Sequence, residues 1–180
     1  MKRADLEHII RAASAIAEAD DIVILGSQAI LGAVPDAAEE LLTSQEADIY
    51  PLGDPAKSDL IDGTIGELSP FHETFGYYAH GVGPETATLP NGWRTRSVIV
   101  CGPGTGNARG HCLAPVDLAV SKLLAGREKD VAFVKAMLRH RLVSPSDLRT
   151  VAGELPFERS SLLLRRLEDV GGVDLPGSCT

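Results

Sequence analysis

The sequence predicts an α/β fold: a small mixed β-sheet flanked by helices, with a helical C-terminal part. Three observations carry that expectation. Ile22-Val23-Ile24-Leu25 is an apolar, largely β-branched run that reads as a buried strand, and it passes through Gly26-Ser27 into a helix-forming Gln28-Ala29-Ile30-Leu31. Glu46-Ala47-Asp48-Ile49-Tyr50 alternates acidic with apolar residues, the pattern of a second strand with one polar face. From Leu113 onward the periodicity is helical. The expected organisation is therefore a sheet-bearing core over residues 1–112 and a helical part over residues 113–180 packed on it.

Taken in order, Lys2 to Ala19 places Leu6, Ile9, Ile10, Ala13 and either Ile16 or Ala17 on one stripe, the spacing of an amphipathic helix. After the Gly-Ser turn, Gly32 interrupts the helix, and Asp36 and Glu39 stand at capping-box spacing for another through Leu42. Pro51 ends the second strand. Pro55 to Ile65 reads as a helix that buries Leu60, Ile61 and Ile65. Thr74 to His80 and Glu85 to Leu89 read as the strands of a hairpin around Gly81-Val82-Gly83-Pro84, and Arg96 to Cys101 as one more strand. Gly102 to Gly110 is glycine-rich, yet it lacks the Gly-Lys-Ser/Thr of a Walker loop and the helix and acid of a dinucleotide loop. It reads as a mobile surface loop. Pro115 to Ala125 and Glu128 to Arg141 are helical on either side of Gly126. Ser144-Pro145-Ser146-Asp147 is a helix start, Phe157 to Val170 a last amphipathic helix, and Gly171 to Thr180 a loose tail.

Composition bounds the function. A hydrophobic fraction of 44% supports a proper core, and with aromatics at 4% aliphatic packing must carry it. No apolar run approaches the ~18 residues of a membrane span, so a cytoplasmic protein without membrane contact is expected. Cys101, Cys112 and Cys179 are an odd, scattered set, which argues against a disulfide framework, and with His111 they match no common zinc spacing. The net charge of −8 is unevenly spread: residues 1–91 hold 16 acids and 4 bases, residues 92–180 hold 9 acids and 13 bases. That asymmetry reads either as two solvated faces or as metal ligands in the first half and phosphate-binding groups in the second. The overall sign and the single Trp disfavour a plain RNA-binding module.

Few residues are candidates for chemistry. A strand running through Gly26 and Ser27 into a helix start aims backbone N–H groups at one spot, which suits an anion; Ser27 is either a helix cap or a phosphate contact. Glu46 and Asp48, one strand-step apart on one face, are either edge-strand solubilisers or ligands of an oxygen-preferring divalent metal. His72 reads as a packed, hydrogen-bonded histidine, and His80, His111 and His140 show no constellation. No Ser-His-Asp or Cys-base spacing supports a covalent nucleophile.

Gly-Ser at a helix start followed by an acid-x-acid strand resembles the nucleotidyltransferase superfamily related to DNA polymerase beta. More narrowly, Val23 to Tyr50, Phe71-His72-Glu73-Thr74-Phe75-Gly76-Tyr77-Tyr78, Leu89-Pro90-Asn91-Gly92-Trp93 and Leu118 to Asp130 resemble a bacterial family of small nucleotidyltransferase-like proteins similar to the AbiE-type toxins of type IV toxin–antitoxin systems. The resemblance covers most of residues 20–140. It implies a nucleotidyltransferase-like fold and Mg²⁺-dependent (or Mn²⁺-dependent) transfer of a nucleotide from a nucleoside triphosphate onto an RNA or protein acceptor, with an antitoxin as a partner. On that basis Glu46 and Asp48 hold the metal, Gly26 and Ser27 grip phosphate, and Lys122 neutralises phosphate together with Arg127 or Lys129. Asp130 is then either a third acid or the partner that orients Lys122 or Lys129. The first acid is Glu46 where the superfamily pattern has Asp, and its spacing from Ser27 is longer than usual. Both features carry an alternative, a degenerate nucleotidyltransferase fold serving as a protein-interaction module.

Overall fold

The computed structural model describes residues 1–171. Helix α1 (Arg3–Ala17) leads into strand β1 (Asp21–Ile24), a 3-10 turn (Ser27–Ala29) and the one-turn helix α2 (Ile30–Ala33). Strand β2 (Glu46–Pro51) is followed by helices α3 (Ser58–Ile65) and α4 (Pro70–Phe75) and by strand β3 (Tyr78–Gly81). Short helix α5 (Trp93–Arg96) precedes strands β4 (Val98–Val100) and β5 (Arg109–Cys112). Helices α6 (Pro115–Ala125), α7 (Glu128–Arg139), α8 (Pro145–Ala152) and α9 (Phe157–Gly171) form the helical C-terminal part.

The strands make one mixed sheet in the order β3-β2-β1-β5-β4. β1 runs antiparallel to β2 and parallel to β5, β2 parallel to β3, and β4 antiparallel to β5. The fold is thus the α/β class that the sequence predicts. The core is aliphatic, as the shortage of aromatics requires. Leu6, Ile9, Ile10, Ala13 and Ala17 of α1, Ile22 and Ile24 of β1, Ala47 and Ile49 of β2, and Leu118, Leu123, Val134 and Leu148 of the later helices share one buried cluster. Gly110 in β5 has no side chain because α1 lies on it: a Cβ there would be 2.5 Å from Ile10 Cδ1.

Several elements differ from expectation, each for a local reason. Asp36 to Leu42 forms only a 3-10 turn (Glu39–Leu41), and Pro55–Lys57 is likewise a 3-10 turn ahead of α3. Leu60 is 55% exposed, so α3 buries Ile61 and Ile65 without it. No hairpin spans 74–89. Ser69 caps α4 by accepting the His72 N–H, with Pro70 at the first helical position, and Gly76 in the left-handed region ends it. Pro84–Thr86 is a 3-10 turn rather than a strand. The Arg96–Cys101 strand shortens to Val98–Val100, and β5 was not anticipated at all. The Gly102–Gly110 loop is tightly held: Thr105 is buried with its hydroxyl bonded to Ala108 O at 2.7 Å, and Arg11 donates to Gly104 O at 2.8 Å. Gly126 (φ 68°) separates α6 from α7, which ends at Arg139. The expected tail beyond Gly171 lies outside the described residues.

Ion pairs tie the parts together. Buried Asp117 on α6 accepts from Arg96 at 2.7 Å, and Arg96 also reaches Glu154 at 2.8 Å, fastening the α5 loop to the C-terminal helices. Glu40 pairs with Arg139 and with His140. At the start of β1, Asp21 accepts from Arg109 and His111 on β5. The Arg109 hydrogen bonds, outweighing burial, hold the Asp21 carboxyl at about 2. A carboxyl depressed in the folded state stabilises above its ordinary pKa and loses that contribution as pH falls through the folded value. Asp21→Asn is therefore expected to be less stable than wild type by up to about 1 kcal/mol at neutral pH. The gap should close as pH falls from 3.8 to about 2, read as the difference between urea unfolding midpoints.

Candidate active site

Antiparallel pairing of β1 and β2 sets Ile24 opposite Ile49, and the Leu25 N–H donates to Asp48 O at 2.8 Å. This register brings the turn after β1 directly against the Asp48 side chain. A Cβ on Gly26 would lie 2.1 Å from Asp48 Oδ2, and Gly26 has φ 63° and ψ −170°, a conformation essentially confined to glycine. Ser27 follows, half-buried, at the start of the 3-10 turn. The helix start expected here is short, a 3-10 turn and one α-turn, so its dipole is smaller than a full helix would supply.

Alternation along β2 turns Glu46 and Asp48 to one face while Ala47 and Ile49 are fully buried on the other. The parallel pairing with β3 sets Tyr78 beside Glu46 and His80 beside Asp48. Tyr78 Oη donates to Glu46 Oε2 at 3.0 Å. His80 Nδ1 lies 3.1 Å from Asp48 Oδ1 and 3.5 Å from Glu46 Oε1. One donor atom from each of Glu46, Asp48 and His80 falls within 4.8 Å of the others.

The electrostatics follow from that crowding. Burial raises the pKa of Asp48, and the adjacent Glu46 carboxylate raises it further against the pull of His80. Glu46 moves down: burial opposes its ionisation, but the contacts with Asp48, Tyr78 and His80 outweigh burial. His80 moves up, because the Asp48 hydrogen bond and both carboxylate charges exceed its desolvation. Tyr78 is pushed up to about 12 by burial and by Glu46. Two carboxylates on one face split their pKa values because like charges at close range disfavour ionisation of both. Their oxygens fit a hard divalent ion, the usual guest of paired carboxylates.

The basic residues gather around a second carboxylate. Asp130 on α7 is fully buried and accepts from Lys122 Nζ at 2.9 Å and from Arg127 Nε at 2.6 Å. Lys122 also lies 5.5 Å over the Phe133 ring. Burial would raise Asp130, but the two cations hold it low. Arg127 is raised first by its bonds to Asp130, and the charges of Asp48 and Glu46 add a smaller contribution. Asp130 orients Lys122 and Arg127. Lys129 is exposed and makes no ion pair among the described residues.

Three residues here escaped the sequence reading. His80, where no constellation was expected, joins the acid pair, and Tyr78 orients Glu46. Only the β2–β3 register reveals either. Gln28 is fully buried, with neither amide atom partnered among the described residues. His72 is as expected: its Nδ1 accepts the Leu68 N–H at 3.1 Å and its ring packs on Tyr78.

Gly26→Ala tests the local geometry. The added methyl must displace the Asp48 carboxylate and strains a positive-φ residue, so a loss of roughly 1–3 kcal/mol of stability is expected. The denaturant midpoint measures it; an unchanged midpoint would contradict the close approach of turn and carboxylate.

No curated protein and no solved structure matches the chain. A family model described as "Nucleotidyltransferase of unknown function" (DUF6036) matches residues 4–168. That span contains the Gly26–Ser27 turn, the acid pair on β2 and the Lys122–Arg127–Asp130 cluster, and the chain belongs to this nucleotidyltransferase family.

Proposed function

We propose that the protein transfers a nucleotide from a nucleoside triphosphate to a macromolecular acceptor in a divalent-metal-dependent reaction. The observation that carries this reading is the pair Glu46 and Asp48 on one sheet face, with the Asp48 carboxylate directly against Gly26 of the turn. Glu46 and Asp48 hold Mg²⁺ or Mn²⁺; when bound, the metal neutralises triphosphate charge and favours departure of pyrophosphate. Tyr78 fixes one Glu46 oxygen and so aims the other at the cluster. The Gly26–Ser27 backbone and the Ser27 hydroxyl offer donors to phosphate oxygens. Arg127 and Lys122 supply the remaining positive charge, with Asp130 fixing their heads in place.

The acceptor is proposed from the likeness to AbiE-type toxins alone: an RNA end or a protein side chain, with an antitoxin as regulator. Each labelled nucleoside triphosphate, incubated with Mg²⁺ or Mn²⁺ and bulk tRNA or cell protein, tests it. Label should enter one acceptor class only when metal is present. Failure to bind any nucleotide with either metal would overturn the proposal and leave a protein-interaction module as the reading.

Two substitutions sharpen the expectation. Asp48→Asn should abolish metal-dependent triphosphate binding by calorimetry while leaving the melting temperature equal or slightly raised, since one of two repelling carboxylates is gone. Arg127→Ala and Lys122→Ala should each weaken triphosphate binding about tenfold or more, the loss of a charge-assisted hydrogen bond. Lys122→Arg should restore only part of it, because a planar fork cannot sit where a point charge bonds Asp130 over Phe133.

A further inference from the structure

We infer that His80 is the third protein ligand of the metal and that it makes this site select a first-row transition ion such as Mn²⁺ over Mg²⁺. The inference rests on the metal-dependent reading above and deepens it. His80 is the direct neighbour of Asp48 in the β2–β3 register, so its ring rises from the same sheet face. Its Nδ1 stands 3.1 Å from one acid oxygen and 3.5 Å from the other. Adjacent ligands of an octahedral ion at about 2.1 Å are about 3 Å apart; both His80 separations are close to that, and all three donors lie within 4.8 Å of one another.

The surroundings leave that position to the imidazole. Among the described residues the cluster contains no third carboxylate. Asp62, whose charge also reaches His80, has one oxygen engaged by the Gly81 N–H at 3.1 Å. The His80 side chain is half exposed on the sheet's edge strand, which leaves one side of the cluster open to water and substrate. Carboxylate and water suit Mg²⁺ and Mn²⁺ alike; Mg²⁺ holds to oxygen, whereas first-row transition ions accept imidazole, and Mn²⁺ is the one among them that also favours carboxylate and water. A set of two carboxylates and one imidazole therefore favours the ion that accepts both.

Mn²⁺ titrated into the nucleotide-free full-length protein, followed by loss of the free-ion electron paramagnetic resonance signal and by Mg²⁺ competition at one fixed pH, tests this. Wild type should prefer Mn²⁺ at least tenfold, and the bound ion should show spin-echo modulation from a directly coordinated imidazole nitrogen. His80→Ala should lose at least tenfold in Mn²⁺ affinity, and His80→Asp should lose the nitrogen modulation while regaining Mg²⁺. If His80 is only a counter-charge resting between the acids, its removal would leave Mn²⁺ affinity equal or higher and wild type would lack the modulation. Either result overturns the inference while the metal site stands, provided Asp48→Asn still abolishes binding. Wild-type protein that takes up no Mn²⁺ overturns the metal-dependent reading and this inference with it.

Discussion

The approach of the Gly26 backbone to the Asp48 carboxylate is the contact on which the site depends. It exists because β1 and β2 pair antiparallel with Ile24 opposite Ile49, which delivers the end of one strand to the middle of the next. Neither partner tolerates much change: Gly26 occupies a glycine conformation, and any Cβ there would collide with Asp48 Oδ2. A half-buried carboxylate beside another acid is unfavourable by itself. The sheet offsets that cost on its opposite face, where Ala47, Ile49, Ile22 and Ile24 are withdrawn from water altogether. At roughly 1.5–3 kcal/mol for each large aliphatic side chain, the apolar face can sustain a polar face that destabilises.

Asp130 plays the matching part among the helices. Its carboxylate is fully enclosed, and a buried charge without a partner would cost several kcal/mol. Lys122 and Arg127 approach it from either side of the Gly126 break, where the left-handed turn (φ 68°) reverses the chain between α6 and α7. Arg166 on α9 then closes the exposed end of α6 by donating to Leu123 O and Leu124 O. The cationic heads are thus fixed by a carboxylate inside the helical part, and that part is fixed by capping and packing. Charge asymmetry visible along the chain becomes, in three dimensions, an acid pair on the sheet and a basic pair at the α6–α7 junction.

Much of this was legible from one-dimensional pattern. β1 and β2 announce themselves by apolar runs and by alternation, the helices α1, α6, α7 and α9 by their helical pattern, and α8 by its Ser144-Pro145-Ser146-Asp147 start. The Gly26-Ser27 and Glu46-x-Asp48 pairs needed only the period of a strand. What was not legible depended on pairing across distance. Arg109-Gly110-His111-Cys112 has little strand character, and it is a strand because β1 and β4 hydrogen-bond it on both edges. Tyr78 and His80 join the site only because β3 lies parallel to β2 in a particular register, a fact 32 residues removed from the acids it completes. Helix α4 differs in kind, since Ser69-Pro70 is a local helix start, and the helix it begins ends at Phe75, inside the strand expected from Thr74.

The same register explains why the site can be built on an edge strand at all. Among the described residues β3 has a neighbour on one side only, and an unpaired edge invites association unless its residues resist it. A half-exposed imidazole facing two acids, with a tyrosine bonded to one of them, gives this edge a charged and hydrogen-bonded surface. Central strands could not offer the same: β1 is buried over Ile22, Val23 and Ile24, and a ligand there would have no route to solvent. The acids therefore sit on the strand next to the edge, where one neighbour supplies the glycine turn and the other supplies Tyr78 and His80. A shift of one residue in the β2–β3 pairing would turn His80 to the apolar face and bring Ala79 to the acids. Register at the sheet edge, more than the identity of any single residue, decides what this site can hold.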